Sequence, residues 1–266
     1  MRLVILLILC CIFTVQSQTT HEYEGTSVEV LGQSGKARIT RGDSVVTMQV
    51  DYLSEMDSSG NEVGKVGNPK HTIQSFATQD FTFGPLVQKQ FQNNSAHEFM
   101  FETPINTIGK MRIITILLHN QGEIGTETET WTVSPGDVKW NIELSDWTFC
   151  NPCSDGTAEY IDVGIEIKGT KSESKGNQTI DLGDATLELS NRIVVDGTEE
   201  FMANSFPRVE TKGSKQLYIF RFPKFNTMAT YDPLLQMSQT NLANTGHKNG
   251  AKTGLFIFSV LLAVLL

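Results

Sequence analysis

The chain has 266 residues, 39% hydrophobic and 19% charged, with 22 Gly, 8 Pro and 4 Cys. That composition excludes a collagen-like, disordered or cysteine-stapled mini-protein and suits one large β domain or two small ones. Its 30 acids against 21 Lys and Arg give a net charge of −9, which excludes a general nucleic-acid binder, because that role needs a basic face to displace counterions.

Met1-Arg2 opens a short basic region, and the segment from Leu3 to Val15 is apolar and uncharged. Val15 and Ser17 are small residues at the −3 and −1 positions of a cleavage site. Residues 1–17 therefore read as a secretory signal peptide. Cys10 and Cys11 fall inside it, so the exported chain keeps Cys150 and Cys153.

The body, residues 18–244, reads as strands. Val46, Met48, Val50 and Tyr52 alternate with polar residues, as do Val138, Trp140, Ile142 and Leu144, and Ile161, Val163, Ile165 and Ile167. Period-two alternation predicts strands with one buried and one wetted face, the pattern of an antiparallel sheet. Met111–Leu118 and Leu217–Phe222 are more continuously apolar and suit strands near the middle of a sandwich. Shorter candidates are Val28–Leu31, Phe81 with Phe83, Phe99–Phe101, Thr128–Val133 and Leu187–Val195. Gly60-Asn61, Pro135-Gly136, Gly156 and Asp196-Gly197 supply turns between them. The fold class expected is all-β, an antiparallel β-sandwich of plain or jelly-roll type, in one domain of about 220 residues.

Candidate functional residues follow in chain order. Arg41-Gly42-Asp43 matches an integrin-recognition tripeptide at a hairpin tip that would expose it; ordinary Gly-Asp turn chemistry is the alternative. Asn93 and Asn177 begin N-glycosylation sequons in polar stretches. Glu127 and Glu129 are two apart, so on a strand they would point to one face about 7 Å apart. With Asp181 and Asp184, near a predicted turn, they are candidate weak surface Ca²⁺ ligands, since Ca²⁺ takes carboxylate oxygens. No EF-hand loop is present. Cys150-Asn-Pro-Cys153 is expected to close as a disulfide in an oxidising compartment and hold the turn after Trp147; a redox centre or half of a zinc site are the alternatives.

Enzyme signatures are absent: the exported histidines His21, His71, His97 and His119 form no H-x-H or H-E-x-x-H, and no G-x-S-x-G or phosphate-binding loop occurs. A non-enzyme with no tightly bound cofactor is expected.

The C-terminal run Leu255–Leu266 is uncharged and short of the about 20 residues that a spanning helix needs. It follows the small triplet Asn244-Thr245-Gly246 and a polar spacer. Residues 245–266 therefore read as a glycolipid-anchor (GPI) signal with attachment at Asn244, a short single-pass membrane segment being the alternative. Either way the body faces the outside of the cell. Between the two processing sites stand 30 acids and 18 bases, a net charge of −12, enough for collective attraction of cations.

Several segments resemble the acidic skeletal organic matrix proteins of stony corals, including their skeletal aspartic acid-rich relatives. They are Asn61–Asn68 followed by Phe76–Gly84, Lys139–Cys153, Tyr160–Gly169, and Gly213–Phe225 with Tyr231-Asp-Pro233. Together they reach from about Val50 to Pro233. The resemblance implies a secreted component of the organic matrix in a calcium carbonate skeleton, with the mineral or Ca²⁺ and other matrix proteins as partners. The chain lacks the long Asp tracts of the Asp-rich relatives, which favours a scaffold or membrane-tethered role over crystal nucleation. An adhesion module using Arg41-Gly42-Asp43 towards an integrin is the alternative function, and an extracellular enzyme with an unrecognised site is the third.

Overall fold

A computed structural model of the chain describes residues 19–238 except 33, 127, 172, 175–177, 184 and 214. The expected signal peptide, Glu127, Asn177, Asp184, the anchor residue Asn244 and the tail 245–266 lie outside the described residues.

The strands run in chain order as β1 (Thr19–Tyr23), β2 (Thr26–Leu31), β3 (Lys36–Arg41), β4 (Ser44–Met56), β5 (Glu62–Val63), β6 (Thr72–Ile73), β7 (Thr82–Phe83) and β8 (Val87–Phe91). There follow β9 (Asn94–Ile105), β10 (Gly109–Leu118), β11 (Gly122–Gly125), β12 (Thr130–Val133), β13 (Val138–Ser145), β14 (Tyr160–Lys168), β15 (Glu173–Ser174) and β16 (Thr179–Asp181). The last are β17 (Ala185–Glu188), β18 (Arg192–Val195), β19 (Thr198–Phe201), β20 (Arg208–Lys212), β21 (Lys215–Pro223), β22 (Met228–Tyr231) and β23 (Leu234–Met237). A 3-10 turn covers Phe76–Thr78.

Every strand pairing among the described residues is antiparallel, and the strands form two large sheets. The first has the order β1-β2-β3-β4-β14-β21-β20, with β5 and β6 added on β4. The second has the order β15-β16-β17-β23-β13-β10-β9-β7; β8 joins it on β9, and β22 and β18 carry β19 beside β13. β11 and β12 form a separate hairpin. This is the expected antiparallel sandwich. Tight turns set its registers: Glu24-Gly25 and Asp196-Gly197 each place two successive residues at positive φ, the geometry that matches the twist of a two-residue hairpin.

The sheets pack face to face. Val28, Ile39, Met48, Ile165 and Phe220 of the first meet Phe99, Ile113, Trp140, Leu187 and Tyr231 of the second, all fully buried in one core. Each such side chain contributes about 1.5–3 kcal/mol.

Three expectations are corrected. Val46, Met48 and Val50 do face the core, but Tyr52 does not share their face. The register between β4 and β14 shifts between Gly164 and Ile165, so Asp51 is left without an opposite residue. This bulge reverses the inside–outside phase: Leu53 becomes buried, and the ring of Tyr52 lies over Gly164, where a Cβ would meet it at 2.2 Å. Second, β13 and β14 are buried on nearly all positions rather than on one face. Part of the outer face of the second sheet is covered by the β11–β12 hairpin, whose Ile124 and Val133 pack with Ala96, Ile116 and Leu118. On that face Lys139 is buried, its ammonium 4.8 Å from the Trp131 ring and paired with Asp232. Third, the Leu187–Val195 stretch breaks into β17 and β18, because Leu189-Ser190-Asn191 leaves the ladder.

Candidate functional site

The outer face of the first sheet interlocks its charges. Outward positions on β4, β14, β20 and β21 bring Asp51, Asp162, Glu166 and Glu210 beside Arg208, Lys212, Lys215 and Arg221. Arg221 grips Asp162 with two donors, Nε at 2.6 Å and Nη2 at 2.7 Å. Arg208 Nη2 lies 2.7 Å from Glu210 and 3.7 Å from Asp162. Lys215 Nζ donates to Asp51 at 2.6 Å and sits 3.8 Å from Glu166, and Lys212 Nζ is 3.6 Å from Asp51. Both guanidinium groups also stack on Phe206, at 4.3 Å for Arg221 and 4.8 Å for Arg208. A shallow cleft of about 220 Å³ opens here, lined in part by Tyr52, Glu62, Arg208, Glu210 and Lys212. Burial, and then the nearby carboxylates of Glu210 and Asp162, pushes the Tyr52 phenol well above its ordinary range. This face is charge-balanced; it is not an anionic plate. The second sheet repeats the pattern, Arg112 bridging Glu102 at 3.0 Å and Glu143 at 2.7 Å.

Part of the acid excess is inside the protein. Glu55, Asp137, Glu143, Asp162, Glu166 and Asp181 are all buried. Exposed acids stand on strands, as Glu22, Glu123, Glu200 and Glu210 do, and at turns, as Glu24, Asp43, Asp155 and Asp196 do. Glu24 and Asp43 occupy neighbouring hairpin tips, since Thr26 pairs with Arg41 between them. Three turn aspartates are held ionised by donors. Amides of Asn226, Thr227 and Met228 bring Asp196 down to about 2. The side chain and amide of Asn61 lower Asp57, and the amides of Gly64 and Lys65 lower Asp155.

The structure separates the members of Arg41-Gly42-Asp43. Gly42 and Asp43 form the exposed β3–β4 turn, but Arg41 is only 6% exposed. Its guanidinium enters the sandwich, where Nη1 donates to the Met237 carbonyl at 3.4 Å. Beside it lies buried Asp137, which accepts the amides of Ser134 at 2.8 Å and Met237 at 3.3 Å. Burial pushes that carboxyl up to about 6 against these donors and the Arg41 charge. The expectation that the tip would expose the whole tripeptide is therefore corrected: the arginine is an inter-sheet tie.

Among the other expected sites, Asn93 is exposed in the β8–β9 turn, while its neighbour Asn94 is buried and orders the Leu118–Asn120 segment through its side chain. Glu129 precedes β12 in a turn closed by the Thr126 amide, which donates to its carbonyl at 2.7 Å. The Ser190 hydroxyl donates to the Glu129 carboxylate, and burial raises its pKa. Asp181 is buried, accepts the Gly183 amide at 2.8 Å and pairs with Lys171 at 2.8 Å. It stands on a different element from Glu129.

Cys150 and Cys153 are joined as a disulfide. The loop they close is anchored by a residue that sequence reasoning did not single out. Glu55, fully buried, accepts from His71 Nδ1 at 3.0 Å, from Trp147 Nε1 at 2.7 Å and from the Cys150 amide at 3.0 Å. A histidine beside a carboxylate can serve as a general base where substrate can reach it. Here both are buried, and neither residue lines the cleft above or the open 590 Å³ groove between Gly67 and Thr107. At the opposite end the rings of His97 and His119 stand 4.4 Å apart, and His21 packs against Phe99, two residues along β9 from His97. Burial, and then the charge of His97, takes His21 down to about 4 and lowers His119.

Comparison with known proteins follows the same ground. No solved structure matches the chain. The family described as acidic skeletal organic matrix protein matches over residues 41–181 and 169–266, a span that begins at the Arg41 tie and contains the Glu55 hub, the disulfide and the paired charges of β14 and β21. Over most of its length, the chain belongs to the acidic skeletal organic matrix protein family.

Proposed function

We propose that the protein is an exported scaffold of the skeletal organic matrix, tethered at its C-terminus, that contacts Ca²⁺ or a carbonate mineral weakly through carboxylates at its turns. Family membership implies a skeletal matrix component in biomineralisation, outside the cell. The observation that carries the finer reading is the division of charge: Asp51, Glu102, Glu143, Asp162, Glu166 and Glu210 on the sheet faces are paired with bases, while Glu24, Asp43, Asp155 and Asp196 stand exposed at turns. Scattered carboxylates on a rigid frame attract Ca²⁺ collectively without enclosing any one ion. A matrix role of this kind needs no catalytic site.

Two measurements on the exported chain test it, calorimetric Ca²⁺ titration and adsorption to calcium carbonate crystals. Weak multi-site heats that fade with added salt, and adsorption that falls when Glu24, Asp43, Asp155 and Asp196 are changed together to their amides, are expected. A single tight Ca²⁺ site, or adsorption indifferent to the four changes, would sink the turn-carboxylate reading.

A further inference from the structure

We propose that His97, His119 and His21 form a binding site for one divalent transition-metal ion of the zinc or copper class, which would tie the first strand to the second sheet. The three imidazoles come from separate segments: His21 from β1, His97 from β9, and His119 from the residue after β10. His119 is positioned by its amide, which donates to the Ser95 carbonyl at 2.9 Å and the Asn94 side chain at 3.2 Å. The rings of His97 and His119 stand at 88° with centroids 4.4 Å apart, and Tyr23 stacks on His119 at 3.7 Å. His21 packs edge-on to Phe99 at 5.2 Å.

Their nitrogens are the anomaly. His21 and His119 are 3% and 7% exposed. Both nitrogens of His21, Nδ1 of His97 and Nε2 of His119 are shielded from solvent and have no hydrogen-bond partner. Buried polar atoms are almost always partnered, and an orphaned set points to a missing ion or water. Other buried atoms without a partner are scattered over Thr26, Arg41, Trp140, Asn141, Glu166 and Arg208, one on each, whereas four of the ten among the described residues fall on these three imidazoles. An all-imidazole donor set suits zinc, copper or nickel and offers Ca²⁺ none of the oxygens it prefers. Among the described residues, the set of three such ligand groups already within 4.8 Å of one another is Cys150, Cys153 and Asp155, whose sulfurs are consumed in the disulfide. The histidines therefore need side-chain rotation to close on an ion, with His97 and His119 as the nearer pair.

Zinc and copper titrations of the exported chain, read by calorimetry and by imidazole NMR resonances, test this. The expected result is one ion per chain, undisturbed by excess Ca²⁺ and reversed by chelator. Shifts should appear at His97, His119 and His21 but not at His71. His97→Ala and His119→Ala should each weaken binding by about tenfold or more. Absence of binding by either metal, binding unchanged in both variants, or unmoved resonances of the three rings in the wild-type protein would overturn the proposal. The last readout holds even if a variant fails to fold.

Discussion

Trp147 Nε1 donates to Glu55 Oε1 at 2.7 Å across 92 residues of chain, joining the segment after β13 in one sheet to β4 in the other. The same carboxylate takes the Cys150 amide and His71, so one acid orders the entrance to the disulfide loop. Glu55→Ala strands the indole and amide donors at about 1–3 kcal/mol each and should destabilise the fold by about 3 kcal/mol. Glu55→Gln keeps one acceptor oxygen and should cost less. Urea unfolding followed by tryptophan fluorescence gives both values; equal stability of wild type and Glu55→Ala would contradict the hub.

Arg41 and Asp43 should separate cleanly. Arg41→Ala removes the tie to Met237 and leaves buried Asp137 without its neighbouring cation, so a loss of about 2–4 kcal/mol is expected. Asp43 is exposed in the turn, and Asp43→Glu should change stability by less than about 0.5 kcal/mol. Cell attachment should also survive Asp43→Glu, because the arginine of the tripeptide is not displayed. Loss of attachment in that variant, with its melting curve intact, would restore the adhesion reading.

Asp137 gives a pH dependence of determined sign. Its carboxyl lies at about 6 in the fold against an ordinary 3.8. The folded state thus holds the proton more tightly, and the stability this contributes is present below the ordinary value and lost as pH rises through about 6. Two pH units correspond to about 3 kcal/mol at most. Between pH 4 and pH 7 the difference in unfolding free energy between wild type and Asp137→Asn should change with pH in that direction. A difference that stays constant across the range would refute the assignment.

Gly164→Ala tests the bulge. An added Cβ would meet the Tyr52 ring at 2.2 Å, forcing that ring off the sheet and out of the cleft beside Arg208 and Glu210. A loss of about 1–3 kcal/mol is expected from such overpacking. Tyr52→Ala in the same background should recover part of it, which a double-mutant cycle would measure.

The β-sandwich was legible because alternation over 46–50, 138–144 and 161–167 is the direct imprint of a pleated strand, and because Asp196-Gly197 and Pro135-Gly136 announce turns. Three features escaped that reading. The Asp51 bulge has no local signature, since inserting one residue leaves the apolar count unchanged while inverting the phase after it. Asp162 and Lys139 look like outward positions in the pattern, and only tertiary partners show that their outward side is covered; Glu55 also looks outward, and the bulge turns it inward together with Leu53. Arg41 sits beside a turn glycine, which marks the turn but not the direction of the preceding side chain. The histidine cluster could not be seen either, because β1, β9 and the end of β10 meet only in the folded sandwich.

The Arg41 contact with Met237 also gives the molecule a polarity. β23 ends beside the Gly42-Asp43 tip, and the Asn93 turn lies at that same pole, while the disulfide loop lies at the far end of β4. That strand has 13 residues, a length of about 40 Å. A surface meeting that pole would face the hairpin tips and the sequon of Asn93, with the Cys150–Cys153 loop at the opposite extremity. What approaches from the other side would meet the cystine cap first.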